Sequence, residues 1–269
     1  MRASISLYRK LLAIEIRAQL QYPASFLFDL VSYGLVVSLF FVSLAMILQR
    51  FEGIAGWTLG EVAFLYGTIE VSFGAMDLIF SGFDPGEFGR DVRLGRFDTV
   101  LLRPVNPTLQ VLGSKFVLRR LGRVVQGLVI FGIGLALSEI RWTLAKLLFV
   151  PVIVLSLVCF FGGLFIIGAT ITFWTVESIE VMNILTYGGS EMMSYPMSIY
   201  QPWMRRFFTF VVPAIFLNYY PTLFILGKPD PLGYPSFAPL LSPIVGLATL
   251  MLALAFWRFG IRHYQSTGT

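Results

Sequence analysis

Three long stretches of this chain carry no charged side chain: residues 147–176, 207–227 and 231–257. A helix needs about 20 apolar residues to cross the hydrocarbon core of a bilayer, and each stretch is that long. Strands of a membrane barrel span only about ten residues and alternate apolar with polar positions, which these continuous runs do not. The sequence therefore predicts an all-α membrane protein.

The composition agrees with this class. Only 13% of the residues are charged, whereas a soluble domain carries about 25%. Lipid must therefore solvate much of the surface. We expect one transmembrane domain over residues 23–269. Its six predicted spans lie at about 24–48, 58–82, 116–138, 145–175, 205–227 and 239–259.

Residues 1–22 differ from the rest, because apolar positions alternate with charged ones up to Tyr22 and Pro23. This pattern is typical of an amphipathic helix that lies in the membrane interface. A cytoplasmic helix packed on a partner protein is the alternative.

The lysines and arginines are unevenly distributed between the predicted loops. If the N-terminus is cytoplasmic, sixteen of the 20 basic residues lie on the cytoplasmic side and four on the outer side. Cytoplasmic loops are enriched in Lys and Arg. The distribution predicts cytoplasmic termini, and it explains the net charge of +5 without a nucleic-acid partner.

The longest polar interruption, residues 83–115, is cytoplasmic by this rule. It combines Arg and Asp with apolar residues that we expect to be exposed: Phe88, Leu94, Phe97, Leu101 and Leu102. Arg and aromatic residues together are enriched at protein interfaces. The pattern favours docking of a partner protein; the alternative is packing on the chain itself and on anionic lipid headgroups.

The segment 176–204 is also expected in the cytoplasm. It contains Glu177, Glu180 and Glu191. It would be either a second docking element or a helical continuation of the fourth span.

The outer segment 212–227 is apolar but contains Pro213 and Pro221. Breaks in backbone bonding are tolerated at membrane depth only against protein or water. We expect a short re-entrant helix after Asn218, with Tyr219 and Tyr220 in the outer interface. An ordinary proline-kinked span is the alternative.

Glu70 and Asp77 lie in the second span and, seven residues apart, share one helix face. Ionisable groups inside a membrane are candidates for a functional role. They would line a translocation path or make buried polar contacts with a partner helix, Tyr or Arg. A proton relay is the other interpretation.

Motifs for catalysis are missing. The sequence has no phosphate-binding loop and no metalloprotease or serine-hydrolase motif. With one His (His263) and one Cys (Cys159), common catalytic triads and metal sites are disfavoured. We predict no catalytic residue, no metal and no cofactor on this chain, which argues against a membrane-embedded transferase.

Three sequence stretches resemble a known family: 93–107 (RLGRFDTVLLRPVNP), 218–227 (NYYPTLFILG) and 258–268 (RFGIRHYQSTG). Together with the plan of spans they are similar to the permease subunit of ABC-2 type (type V) transporters, in the bacterial branch called ABC-2 family transporter proteins. The short outer loops differ from relatives with large ectodomains.

The resemblance implies a bacterial inner-membrane exporter of two permeases, identical or related, and two cytoplasmic ATPase subunits that bind ATP and Mg. The 83–115 loop would hold the coupling helix. The docking residues would be Glu87, Arg90, Asp91, Arg93, Arg96, Phe97 and Asp98. The cargo would be hydrophobic, amphipathic or lipid-linked. The alternative function is an ion-coupled secondary transporter that uses Glu70 and Asp77.

Overall fold

The computed structural model describes residues 13–14, 16–21, 23–50, 56–175, 180–230, 233 and 235–266. Within these ranges the chain is helical and contains no β-strand. Of the predicted interfacial helix, residues 13–14 and 16–20 are helical, and the rest lies outside the described residues.

The helices of these ranges are numbered in chain order. They are α1 (Pro23–Arg50), α2 (Leu59–Phe80), α3 (Pro85–Arg93), α4 (Arg96–Leu101), α5 (Pro107–Leu112), α6 (Leu121–Leu137), α7 (Leu144–Thr175), α8 (Glu180–Asn183), α9 (Gly189–Met193), α10 (Pro202–Phe210), α11 (Tyr219–Leu226) and α12 (Leu241–His263). A π-helical turn, Ile184–Gly188, joins α8 to α9.

Four helical stretches of the described chain are long and apolar enough to cross a membrane: Leu59–Arg93, Leu118–Leu137, Leu144–Thr175 and Ala238–His263. Pro202–Phe210 and Ala214–Leu226 would make a fifth only as a pair that is bent by 79°. The protein is thus an all-helical, multi-pass membrane protein. Helix α1 has 28 residues and coincides with the first predicted span, while the total of six stays a prediction.

Helix α2 is the centre of the fold, although it is the least apolar of the predicted spans. Nearly every residue from Gly60 to Leu78 is buried. Helix α6 packs along one side of α2 and helix α7 along another. A helix surrounded by protein does not need a fully apolar surface, which explains why α2 tolerates several polar side chains.

The backbones of α2 and α6 are in direct contact through glycines. A Cβ atom added at Gly67 would lie 2.5 Å from the Phe131 nitrogen, and one at Gly127 would lie 2.6 Å from the Val71 nitrogen. One at Gly134 would overlap the Phe64 nitrogen. Small residues allow such close approach of membrane helices.

Helices α7 and α12 run side by side in the same direction. Gly246 lies against Ser156 near the start of the contact, and Gly260 lies against Thr170 near its end. We call the end of the bundle that carries residues 81–120 the loop end and the opposite end the far end. Both helices run from the far end to the loop end, so the chain must return once between them.

The return is made by residues 182–193. The Tyr187 ring lies 5.3 Å from the Phe73 ring, towards the loop end of α2. The Met193 carbonyl accepts a hydrogen bond from Asn218 Nδ2 (3.1 Å), which also donates to the Leu65 carbonyl (3.2 Å) in the far half of α2. Residues 182–193 therefore do not stay at one end of the bundle, as expected for a cytoplasmic segment 176–204, but run back along α2. The sequence did not predict this course, because the helical elements of the segment are only four to five residues long and contain polar side chains.

The predicted span 205–227 is not a straight helix, because the chain bends by 79° between Phe210 and Ala214. The expected short helix after Asn218 is present as α11. Its C-terminal end is at the far end, where Lys146 Nζ of α7 donates to the Ile225 carbonyl (2.7 Å). Since the chain has already reached the far half of the bundle at Met193, α10 and α11 stay there.

This placement corrects two further expectations. Tyr219 and Tyr220 are each only 2% exposed, because they pack inside the chain instead of in the lipid interface. Arg205 lies within electrostatic reach of Tyr219 and so belongs to the far end with its neighbour Arg206. If both residues lie on the outer side, the predicted distribution of basic residues changes from sixteen against four to fourteen against six, and the cytoplasmic excess remains.

Two glycines of α6 allow a matched test of the α2–α6 contact. An Ala Cβ at Gly134 overlaps the Phe64 backbone, whereas one at Gly132 meets nothing within 4 Å. We expect Gly134→Ala to destabilise the fold by about 1–3 kcal/mol and to lower the thermal unfolding midpoint in detergent. Gly132→Ala should leave the midpoint unchanged or raise it, because Ala favours helix over Gly. Equal midpoints for the two variants would contradict the close contact.

Candidate functional site

A buried ion pair joins α2 to α6. Arg123 Nε lies 2.7 Å from Glu70 Oε2, and Arg123 Nη2 lies 3.0 Å from Glu70 Oε1. The two residues are 6% and 1% exposed. The guanidinium also lies over the Phe73 ring, 4.3 Å from its centroid. A forked Arg–carboxylate pair of this kind is among the strongest polar contacts that a protein makes.

A second ion pair joins the loop end of α2 to the turn that precedes α6. Arg120 Nη1 is 2.7 Å from Asp77 Oδ1 and donates to Ser81 Oγ (2.8 Å). Asp84 Oδ2 is 3.6 Å from Arg120 and accepts a hydrogen bond from the Tyr187 hydroxyl (3.0 Å). The returning segment is thereby fixed to the loop end of α2.

The sequence did not single out Arg120 or Arg123 as partners of these carboxylates. The available signal was that one predicted span carries three acidic residues and the next carries three arginines. For Glu70 the sequence left two main interpretations, a buried polar contact and a proton relay. The pairing with Arg123 is a buried polar contact. A role of Glu70 or Asp77 in translocation stays a prediction.

At the loop end, α3 and α4 form a compact helical pair. Asp84 caps α3, since its Oδ1 accepts hydrogen bonds from the Gly86 and Glu87 nitrogens (3.1 and 3.3 Å), and Pro85 occupies the first turn. Gly95 adopts a φ of 65° between the two helices, a conformation that glycine takes without strain.

An aromatic cluster anchors this pair to the ends of α7 and α12. Phe88 and Phe97 are only 3% and 2% exposed. Their rings pack on Phe173 of α7 and Trp257 of α12 at centroid distances of 5.0–5.9 Å. Trp257 Nε1 also donates to Thr108 Oγ1 of α5 (3.0 Å). The loop is therefore built on the ends of the helices.

The expected exposure of Phe88 and Phe97 is wrong, because the aromatic rings supply the packing that holds the loop. Leu94 and Leu102, by contrast, are 50% and 84% exposed, as expected. Phe97 offers no surface to a partner in this conformation. Its effect on docking would have to act through the position of α4.

Charged residues form a network on the outside of the pair. Lys115 Nζ lies 3.1 Å from Glu87 and 3.2 Å from Asp91. Arg90 is 3.1 Å from Glu87, and Arg96 is 3.1 Å from Asp91. The hydrogen bond from Lys115 lowers the pKa of Glu87, so that this carboxylate is ionised at neutral pH.

The structure thus brings most of the predicted docking residues together. Glu87, Arg90, Asp91, Arg93 and Arg96 occupy the solvent side of α3 and the start of α4. Asp98 instead faces the C-terminal tail, where its carboxylate accepts a hydrogen bond from the Ser266 hydroxyl (2.7 Å). Pairing with the tail was not foreseen from the sequence.

At the far end, the predicted residues Asn218, Tyr219, Tyr220 and Pro221 are all buried at the start of α11. Asn218 joins α11 to α2, as described above. Beyond α11, Lys228 Nζ lies 2.7 Å from Glu61 Oε2 and donates to the Gly56 carbonyl (2.8 Å). The Glu61–Lys228 pair was missed, since 167 residues separate the partners.

No group of three His, Cys, Asp or Glu side chains in the described parts of the chain is arranged to hold a metal ion. The charged groups at the centre are instead arranged as opposite pairs. This geometry holds helices together and presents a surface at the loop end.

The sequence profile of the ABC-2 family transporter proteins matches residues 34–268. The chain belongs to this family. Its members are generally non-catalytic permeases of ABC transporters, and they typically act with separate ATPase subunits. Comparison with curated proteins and with solved structures gave no match.

Removal of Arg123 tests the buried pair. Arg123→Met leaves the Glu70 carboxylate buried without its counter-charge, which typically costs about 3–5 kcal/mol. We expect a large fall in the unfolding midpoint in detergent. The exposed Arg119, in the turn Leu118–Arg120, provides the control, and Arg119→Met should change little.

The double variant Glu70→Met with Arg123→Met removes both charges and should recover most of the lost stability. A double variant no more stable than Arg123→Met alone, or a single variant as stable as the control, would contradict the role of the pair.

Proposed function

We propose that this permease forms half of the substrate path of an ABC exporter. Two cytoplasmic ATPase subunits would bind ATP and Mg and drive it, and a second permease, identical or related, would complete the path. The proposed cargo is a hydrophobic, amphipathic or lipid-linked molecule that moves outward across the bacterial inner membrane. The chain itself would contribute no catalytic residue.

The observation that carries the proposal is the construction of α3 and α4. One side of the pair is fixed by aromatic rings to the ends of α7 and α12, and α3 follows α2 after a single turn at Ser81–Phe83. The other side exposes Arg90, Arg93 and Arg96. A partner that moves this surface would move the spans, as coupling to an ATPase requires.

The proposed topology places the loop end in the cytoplasm. The six passages would be α1, α2, α6, α7, the broken segment 180–200 and α12, with α10 and α11 as a re-entrant pair at the outer side. Both termini are then cytoplasmic. The parallel direction of α7 and α12 supports one return passage between them, which the segment 182–193 would make.

The geometry of Glu70 and Asp77 does not favour the ion-coupled alternative. An ion-coupled carrier needs carboxylates that gain and release a cation. Glu70 and Asp77 instead face guanidinium groups at 2.7 Å. The family membership points to ATP-driven transport as well.

Charge reversal on α3 tests the docking surface. We expect Arg90→Glu with Arg93→Glu to reduce co-purification of the ATPase about tenfold or more, because two attractive charges become repulsive across the interface. Exposed charges contribute little to folding, so the thermal midpoint should stay near that of the wild type.

The control reverses Arg258 and Arg262, which are exposed on α12 at the same end. This variant has the same net charge and should retain the ATPase. If the α3 variant kept a full complement of ATPase with normal transport-linked hydrolysis, the docking proposal would fail.

Accessibility of a single cysteine tests the topology. In a Cys159→Ser background, Gln201→Cys should react with a membrane-impermeant maleimide added outside intact cells. Leu102→Cys, which replaces a residue that is 84% exposed, should react only after the inner side is opened. Labelling of both positions from the same side would overturn the proposed return passage.

A further inference from the structure

Glu191 of α9 is an exposed carboxylate halfway along the bundle. Its Oε1 atom lies 3.9 Å from Arg123 Nη2. Arg123 in turn pairs with Glu70, the twelfth of the 22 residues of α2. The Glu191 side chain is 58% exposed, whereas the other two are buried. Glu191 is therefore the member of this trio that faces outward, at the level of the middle of a candidate span.

The charges of the trio do not balance. The guanidinium of Arg123 makes two short contacts to Glu70, at 2.7 and 3.0 Å, and only a longer one to Glu191. Two carboxylates against one guanidinium leave one net negative charge. An exposed charge at this depth is costly in contact with lipid. The face that carries Glu191 is therefore expected to adjoin water or a positively charged group.

This face is open on the side of the preceding turn. Ile184, Gly188 and Glu191 are exposed at helical spacing, whereas Thr186 and Met193 are buried. A Cβ atom added at Gly188 would meet only Ile184 Cγ2, at 3.9 Å, in the described chain. Gly188 also ends a π-helical turn, a rare element that is frequent at functional sites. We call the exposed side of residues 184–191 the return face.

The return face combines one carboxylate with apolar neighbours. Ile184 is 62% exposed, and Val181, one turn earlier, is 55% exposed. An amphipathic cation matches this surface, because its charged group faces the carboxylate and its apolar part contacts the isoleucine. Mg²⁺ and Ca²⁺ match it less well, since they take about six or more ligands and no cluster of three acidic, His or Cys ligands occurs in the described ranges.

We propose that the return face lines the substrate path and that Glu191 pairs with a positively charged group of the cargo, such as an alkylammonium. A cation at this position balances the net charge of the trio. The proposal rests on the proposed function, and it narrows the cargo to amphipathic cations.

The first test measures water and charge beside Glu191. In the Cys159→Ser background, Gly188→Cys places a thiol one helical turn from Glu191 without a steric clash. The full-length chain is purified into lipid nanodiscs with its co-purifying subunits. A cationic methanethiosulfonate should react faster than an anionic one. The ratio of the two rates should exceed that of a free thiol by about fivefold or more, because the carboxylate attracts one reagent and repels the other.

Two matched variants provide the controls. Adding Glu191→Gln should return the ratio to about that of a free thiol. Glu180→Gln removes the same charge from an exposed residue of α8 and should change the ratio less than about twofold, because the charge is farther away. Leu155→Cys, at a residue that is 62% exposed on α7, should react slowly with both reagents, because neither enters lipid.

The second test identifies the class of cargo. Decyltrimethylammonium should slow the labelling of Gly188→Cys by a neutral maleimide about threefold or more, because an ion pair adds to the apolar contact. Decanol and decyl sulfate at the same concentration share the alkyl chain and should protect less. Glu191→Gln should abolish the difference between the three probes. Its unfolding midpoint should stay near that of the wild type, since exposed charges contribute little to folding.

Three results would overturn the proposal. Labelling of Gly188→Cys as slow as that of Leu155→Cys would show that the return face is dry, against lipid or a second permease. Equal rate ratios in the Glu191→Gln and Glu180→Gln variants would remove the role of Glu191. Protection by decyl sulfate as strong as that by decyltrimethylammonium would exclude a cationic cargo. Labelling needs no ATP, so a missing ATPase would contradict the proposed function and leave these three readouts intact.

Discussion

The ion pair between Glu70 and Arg123 is the interaction on which the arrangement of the bundle depends. Two charges at this depth are stable only when they face each other closely, because an unpaired charge in a low-dielectric interior costs several kcal/mol. The pair lies where α2 and α6 approach within backbone contact. The glycines at 67, 127 and 134 permit that approach, and it fixes the register of the two helices.

A central position for α2 follows from the same requirement. A helix with Glu70, Asp77 and Glu61 cannot face lipid on any side where these carboxylates point. Helices α6 and α7 and the segment 182–193 therefore surround it. The most polar span becomes the core, and the more apolar helix α12, which is buried over only 22% of its span, takes an outer position.

The sequence was sufficient for the elements that depend on runs of apolar residues. It predicted the membrane class, the positions of α1, α2, α6, α7 and α12, and the break before α11. These features depend on local composition and on proline, which act over a few residues. The family resemblance also came from continuous stretches.

The return passage could not be predicted from the sequence, because its pieces are short and contain Tyr187, Glu191 and a pair of glycines. Its place inside the bundle depends on partners that are far away in sequence. Tyr187 meets Asp84 across 103 residues, and Asn218 meets Leu65 across 153. The burial of Phe97 was missed for the same reason, since its partners Phe173 and Trp257 belong to other helices.

The polar contacts of α2 differ between the two ends of the bundle. At the loop end, ion pairs, hydrogen bonds and the aromatic cluster join α2 to α6, α7 and α12 through α3 and α4. At the far end, Asn218 joins α11 to α2. Lys228, which lies two residues after the end of α11, adds an ion pair with Glu61 of α2. A displacement of α3 would therefore act on α2 and α6 together, because the ion pairs of Arg120 and Arg123 join these two helices.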